Sequence, residues 1–162
     1  MLHLIPAPLH RQLYRIADKV RRRWWRIRKP LRRSVLIVAF DASGRVLLVR
    51  HSYGQPIWAM PGGGHGAKEA PAVAAAREFR EELGCELADL LVLPASRRVV
   101  GGSTELQSLC IARVAGEPVA DNREVVEVRY FDPRELPENV AYYVERRIER
   151  AHEALAARSK QR

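Results

Sequence analysis

Glu78, Glu81 and Glu82 stand at i, i+3 and i+4 near the end of the stretch GGHGAKEAPAVAAAREFREELGC, residues 63–85. On a helix, at about 100° per residue, the three carboxylates share a face. Like charges at this spacing repel one another. A hard divalent cation offsets that repulsion, because such ions prefer carboxylate and water oxygens and complete their shells with substrate phosphates. The chemistry suggested is therefore that of a bound divalent cation meeting phosphate oxygens. The bland alternative is a surface helix whose acids pair with Arg77 and Arg80.

Positioning such a group takes an anchored helix. Ala72, Val73, Ala76, Phe79 and Leu83 recur at helical spacing, which predicts an apolar face lying on a core with the acids pointing outward. Pro61-Gly62-Gly63-Gly64 ahead of the helix is a turn that lets backbone approach a ligand closely, and Gly84 is its stop.

With Gly63, Glu69, Arg77, Glu78, Phe79, Glu81, Glu82, Gly84 and Cys85, the stretch resembles the Nudix box, G-x5-E-x7-R-E-U-x-E-E-x-G-U, where U is a bulky aliphatic residue. Phe79 and Cys85 depart from U but are apolar and can pack. The resemblance implies that Glu78, Glu81 and Glu82 bind Mg²⁺, or Mn²⁺ in its place, with Glu82 and Glu78 as direct ligands and the Gly63 carbonyl as a further one. It also implies that Arg77 and Glu69 form an orienting pair, with Gly62 and Gly64 supporting the turn. The implied catalytic set is Glu81, Glu82, Arg77 and an acid before the last strand. Matching Leu136-Pro137 to the family's usual ending places Glu124 there as general base or additional ligand, with Glu127 as runner-up. Surface acids pairing with Arg123 or Arg129 are the competing explanation.

The chain of 162 residues, 47% of them hydrophobic, is long enough for one domain with its own core. Its two cysteines, Cys85 and Cys110, form neither a disulfide framework nor a zinc motif and read as small buried hydrophobes suited to a reducing cytoplasm. No apolar run is long enough to span a membrane, and residues 2–6 are too short for a signal sequence. The net charge of +9 is unevenly spread. Residues 1–33 hold eleven Lys/Arg against one acid, and the remainder holds seventeen against eighteen. The surplus belongs to the N-terminal stretch.

That stretch, taken as an extension over residues 1–33, carries Leu9, Leu13, Ile16, Val20, Trp24 and Ile27 at steps of three or four, ending before Pro30. This predicts a basic amphipathic helix. Three roles compete: an interfacial helix on an anionic membrane surface, which would make the protein peripheral to the membrane; an RNA-binding arm; or a helix packed on the domain or on a second copy in a homodimer.

Over residues 34–162 the pattern predicts an α+β domain. Strands are expected over 34–40 and 45–50, joined as a hairpin by Asp41-Ala42-Ser43-Gly44, then over 57–60, 87–93, 97–100, 105–113 and 124–131, with a helix over 138–158. The resemblance refines this to a mixed sheet sandwiched between helices. Trp58 either stacks on a substrate base or braces the glycine turn from the core. Strands after the box shape the substrate pocket in the family, which makes Arg97, Arg98 and Gln107 candidate substrate contacts. His51, His65, Lys68 and Arg80 flank the site and read as ordinary polar groups. The implied reaction is hydrolysis of a nucleoside diphosphate linked to another moiety, a small nucleotide such as a nucleoside triphosphate, ADP-ribose or a nucleotide sugar. RNA 5′ ends or a non-catalytic binding role are the alternatives.

Overall fold

The computed structural model describes residues 31–100 and 103–161. The expected N-terminal helix therefore lies wholly outside the described residues, and of the extension only positions 31–33 are described. Arg32 and Arg33, grouped with the extension by their charge, belong to the first strand.

Seven strands and two helices follow one another as β1 (Arg32–Phe40), β2 (Val46–His51), β3 (Trp58–Ala59), α1 (Pro71–Leu83), β4 (Glu86–Val92), β5 (Ser96–Val100), β6 (Ser103–Ala115), β7 (Val125–Phe131) and α2 (Val144–Ser159). The sheet runs β3-β2-β1-β6-β4, with β5 also on β6 and β7 also on β2. β1 and β6 are parallel along their whole shared length and the other pairs are antiparallel, so the sheet is mixed.

β1 is nearly all apolar because both its faces are covered, and side chains alternate between them. Leu36, Val38 and Phe40 join Val144, Ile148 and Ala151 of α2 in one core. Val35, Ile37 and Ala39 join Ala74, Ala75, Phe79 and Leu83 of α1 in the other. The expected sandwich is present, one helix on each face.

Three expectations are corrected. The hairpin turn forms, with Asp41 Oδ1 accepting the Ser43 and Arg45 amides, but β1 and β2 pair only at Phe40↔Val46 before β2 turns to β7. The second helix starts at Val144, not Glu138. The intervening chain is drawn into sheet-like bonds with β3, Trp58 N donating to Asn139 O and Ala141 N to Trp58 O, and this tertiary pairing overrides helical propensity. The buried face of α1 is also rotated. Ala74, Ala75, Phe79 and Leu83 are inside with Glu82, whereas Val73 is 59% exposed.

The separation of β1 from β2 has a consequence for the glycine turn. The edge of β1 that β2 vacates is taken by residues 61–65: Ile37 N donates to Pro61 O and Val35 N to Gly63 O, both at 2.9 Å, and His65 N donates to Arg33 O at 3.0 Å. The turn is thereby stitched to the central strand of the domain.

Candidate functional site

At Gly62 the turn passes so close to β1 that an added Cβ would lie 2.3 Å from Val35 O, and φ is +146°. At Gly63 an added Cβ would lie 2.3 to 2.5 Å from the Glu78 carboxyl group. Glycine is required at both, the first for backbone approach and the second to admit a carboxylate. α1 then stops at Gly84, in the left-handed conformation at φ +66°, its amide bonded to Arg80 O.

The acids of α1 do not all face one way. Glu82 is buried, 5% exposed, and Glu78, one turn earlier, is largely covered, whereas the Glu81 side chain is 60% exposed. The sequence expectation of acids pointing outward from the core is thus corrected. Glu78 and Glu82 line a cleft of about 930 Å³ beside the glycine turn, and Glu124 reaches the same cleft from the start of β7, while Glu81 lies outside it.

Burial, reinforced by repulsion from Glu78, Glu124 and Asp121, raises the Glu82 carboxyl well above the usual range, against one hydrogen bond from the Gly62 main chain. Burial also raises Glu78, with Arg77 opposing. One oxygen of Glu82, Oε2, is buried without any hydrogen-bond partner.

Arg77 organises the surround. Its guanidinium grips Glu69 through two bonds, Nε to Oε1 at 2.9 Å and Nη2 to Oε2 at 3.1 Å, and also reaches Glu78 Oε1 at 2.9 Å, Glu81 Oε2 at 3.2 Å and Gly64 O at 3.4 Å. It ties loop to helix and holds Glu78 in place.

The donor set fits a hard divalent cation. An unpartnered buried carboxylate oxygen, a second carboxylate packed against a glycine and a third acid opposite are oxygen ligands whose mutual repulsion a dication relieves. Among the described residues, no three acidic, histidine or cysteine side chains already stand in a ligating arrangement. The Gly63 carbonyl has one lone pair engaged by Val35 N–H.

The substrate candidates divide. Gln107 lines the cleft. Trp58 does not. It is 5% exposed and edge-to-face on Phe131 with ring centroids 4.9 Å apart, a core residue. Arg97 and Arg98 border an adjoining groove. Glu127 is engaged by Arg50 and Arg129, as the surface-pair explanation expected for it. Arg80 pairs with Glu86, and His65 caps loop carbonyls. Burial raises both cysteines, Cys110 up to about 12, in keeping with inert core thiols.

Sequence reasoning missed Tyr53, Glu105 and Tyr143 as cleft residues, and His51, expected to flank the site as an ordinary polar group, lines the cleft with them. Glu105 is buried between Arg32, at 3.2 Å, and Arg98, at 2.7 Å. An acid at the head of an apolar strand was its only signal. His51 lies on the cleft wall with its Nδ1 unpartnered, and burial lowers its pKa.

The fold is thus a mixed sheet between two helices, with a glycine turn delivering a helix-borne acid pair to a cleft. The NUDIX domain family model matches residues 30–151, and the chain belongs to this family. It is 37% identical over 98 residues to the ADP-ribose pyrophosphatase of Mycobacterium tuberculosis, covering 56% of this chain and 47% of that protein. It is 45% identical over 67 residues to the RNA pyrophosphohydrolase of Halorhodospira halophila, covering 41% and 36% respectively. The chain thus spans less than half the length of these relatives. The MutT NUDIX hydrolase of Burkholderia pseudomallei superposes with a TM-score of 0.65 at 22% identity, over 74% of this chain and 97% of that one, a likeness of fold. No described helix is long and apolar enough to cross a membrane.

Proposed function

We propose that the protein hydrolyses the diphosphate bond of a nucleoside diphosphate linked to another moiety, releasing a nucleoside monophosphate and the phosphorylated remainder. The observation that carries this is the convergence of Glu78, Glu82 and Glu124 on one cleft, with a buried oxygen of Glu82 left for a ligand outside the protein. Glu82 and Glu78 hold a divalent cation, Mg²⁺ or Mn²⁺, with the free lone pair of the Gly63 carbonyl as a further donor and Glu81 at the rim. When bound, such an ion neutralises diphosphate oxygens and lowers the pKa of water.

The chain's own residues do the rest. Glu124 takes the proton of the attacking water as its oxygen bonds to phosphorus and the bridging P–O bond breaks. Arg77, fixed by Glu69, positions Glu78. Gln107 meets the substrate from the cleft wall, and Glu105 holds Arg32 there by an ion pair. The relatives named as pyrophosphatases act on the same bond type, which supports the reading.

The test is a panel of ADP-ribose, nucleotide sugars, nucleoside triphosphates and 5′-triphosphorylated RNA, assayed with Mg²⁺ or Mn²⁺. At least one substrate should turn over with loss in EDTA. Glu82→Gln should reduce that turnover about 10²- to 10⁴-fold; unchanged turnover would show the assignment wrong.

A further inference from the structure

Beside the catalytic cleft, and joined to it through Tyr143, which lines both, lies a second groove of about 370 Å³ between β5 and α2. Five arginines border it: Arg97 and Arg98 from β5, and Arg146, Arg147 and Arg150 from α2. Two are committed elsewhere, Arg98 to Glu105 at 2.7 Å and Arg147 to Gln107 at 3.0 Å. Arg97, Arg146 and Arg150 have no carboxylate partner among the described residues. The acids of this part of α2, Glu145 and Glu149, border a different hollow, with Pro133 and His152.

The cluster is unfavourable as it stands. Arg147 is disfavoured in its charged form by burial and by the neighbouring guanidinium groups of Arg98, Arg150 and Arg146. Arg146 and Arg147 also lie in the first turn or so of a sixteen-residue helix, the end whose dipole disfavours cations and favours anions. Both imbalances are relieved by a bound polyanion. The chain's own residues 1–33, with their surplus of positive charge, do not supply one. Tyr142, at the mouth, is 91% exposed and edge-to-face with Tyr143 at 5.4 Å, presenting an aromatic surface to solvent.

We propose that this groove binds the sugar–phosphate backbone of a single-stranded RNA whose 5′ end occupies the catalytic cleft, with arginines on phosphates and Tyr142 stacking on a base. Arginine-lined grooves with exposed aromatic rings are how single strands are held without sequence preference. A concave, ringed site beside a reaction centre suits a strand leading out of that centre better than it suits a flat lipid surface. The proposal rests on the catalytic reading of the cleft and names the substrate class that reading leaves open.

The experiment uses the full chain, 5′-triphosphorylated RNAs of about two and about eight nucleotides, and Arg146→Glu/Arg150→Glu, with Arg146→Ala/Arg150→Ala as a milder pair. The wild-type KM should be lower for the longer RNA by about tenfold, and the double variants should remove that advantage while leaving ADP-ribose and the short RNA within about twofold. The salt dependence of longer-RNA binding should flatten by about 1.4 in log–log slope for two lost phosphate contacts. A KM independent of length, or variants that leave the longer RNA and its salt slope unchanged, overturns the proposal. So does loss of binding to phosphatidylserine vesicles without loss of RNA. Fluorescence anisotropy of the longer RNA on Glu82→Gln separates the two readings. If wild type hydrolyses no diphosphate the catalytic reading fails, whereas arginine-independent RNA binding on Glu82→Gln defeats the groove alone.

Discussion

Glu82 is the residue at which stability and function pull apart. Its carboxyl is raised by burial above the ordinary 4.5, so the protein without metal is most stable with Glu82 protonated and loses that contribution as pH rises through the elevated value, each unit of elevation amounting to about 1.4 kcal/mol. Glu82→Gln has no such titration. Thermal melts in EDTA should therefore show the variant gaining on wild type as pH rises above the ordinary carboxylate range, in the same protein that has lost turnover. Divalent cation should restore wild type, by about 2.7 kcal/mol at a hundredfold excess over Kd. Gly63→Ala reports on the neighbouring carboxylate. Its methyl meets Glu78 head-on, and displacement should lower activity at least about tenfold while destabilising the fold by about 1–3 kcal/mol. Circular dichroism melts beside kinetics separate the two effects.

At the scale of elements, the acid pair is only as well placed as the loop and helix that carry it. Arg77 joins the two, and Arg77→Lys keeps a charge but loses the bidentate grip on Glu69. The expected result is a metal requirement raised about 10- to 100-fold, with saturating turnover reduced less than in Glu82→Gln, read from activity against Mn²⁺ concentration. The seating of α1 is tested by contrast. Phe79→Ala, in the core, should cost about 3–5 kcal/mol, and Val73→Ala, exposed to water, should stay within about 0.5 kcal/mol by urea unfolding. This contrast was not readable from periodicity. Val73 and Ala74 fit a helical stripe equally well, and which one faces inward is settled by how α1 packs on β1. The same rotation sends Glu82 into the cleft and Glu81 toward solvent.

Across the whole molecule, the legible features were local ones. The i, i+4 pair of Glu78 and Glu82, the glycine turn, the stop at Gly84 and most strands depend on neighbours in sequence. The rest depended on pairings that no local pattern records: β2 leaving β1 for β7, the 61–65 turn filling the vacated edge, and residues 139–141 bonding to Trp58 in place of a longer helix. Glu105 and Tyr143 reach the cleft from remote positions for the same reason. The arginine groove was hidden differently. Residues 34–162 are nearly neutral in sum, so their arginines became conspicuous only when β5 and α2 brought them to one side.

Manganese binding to the full chain, followed by EPR at about pH 8, is the measurement closest to the chemistry, because it reads the acid pair without needing to know the substrate. Wild type and Arg146→Glu/Arg150→Glu should bind alike, and Glu82→Gln should bind at least about tenfold more weakly. Equal Mn²⁺ affinity in wild type and Glu82→Gln would contradict the account.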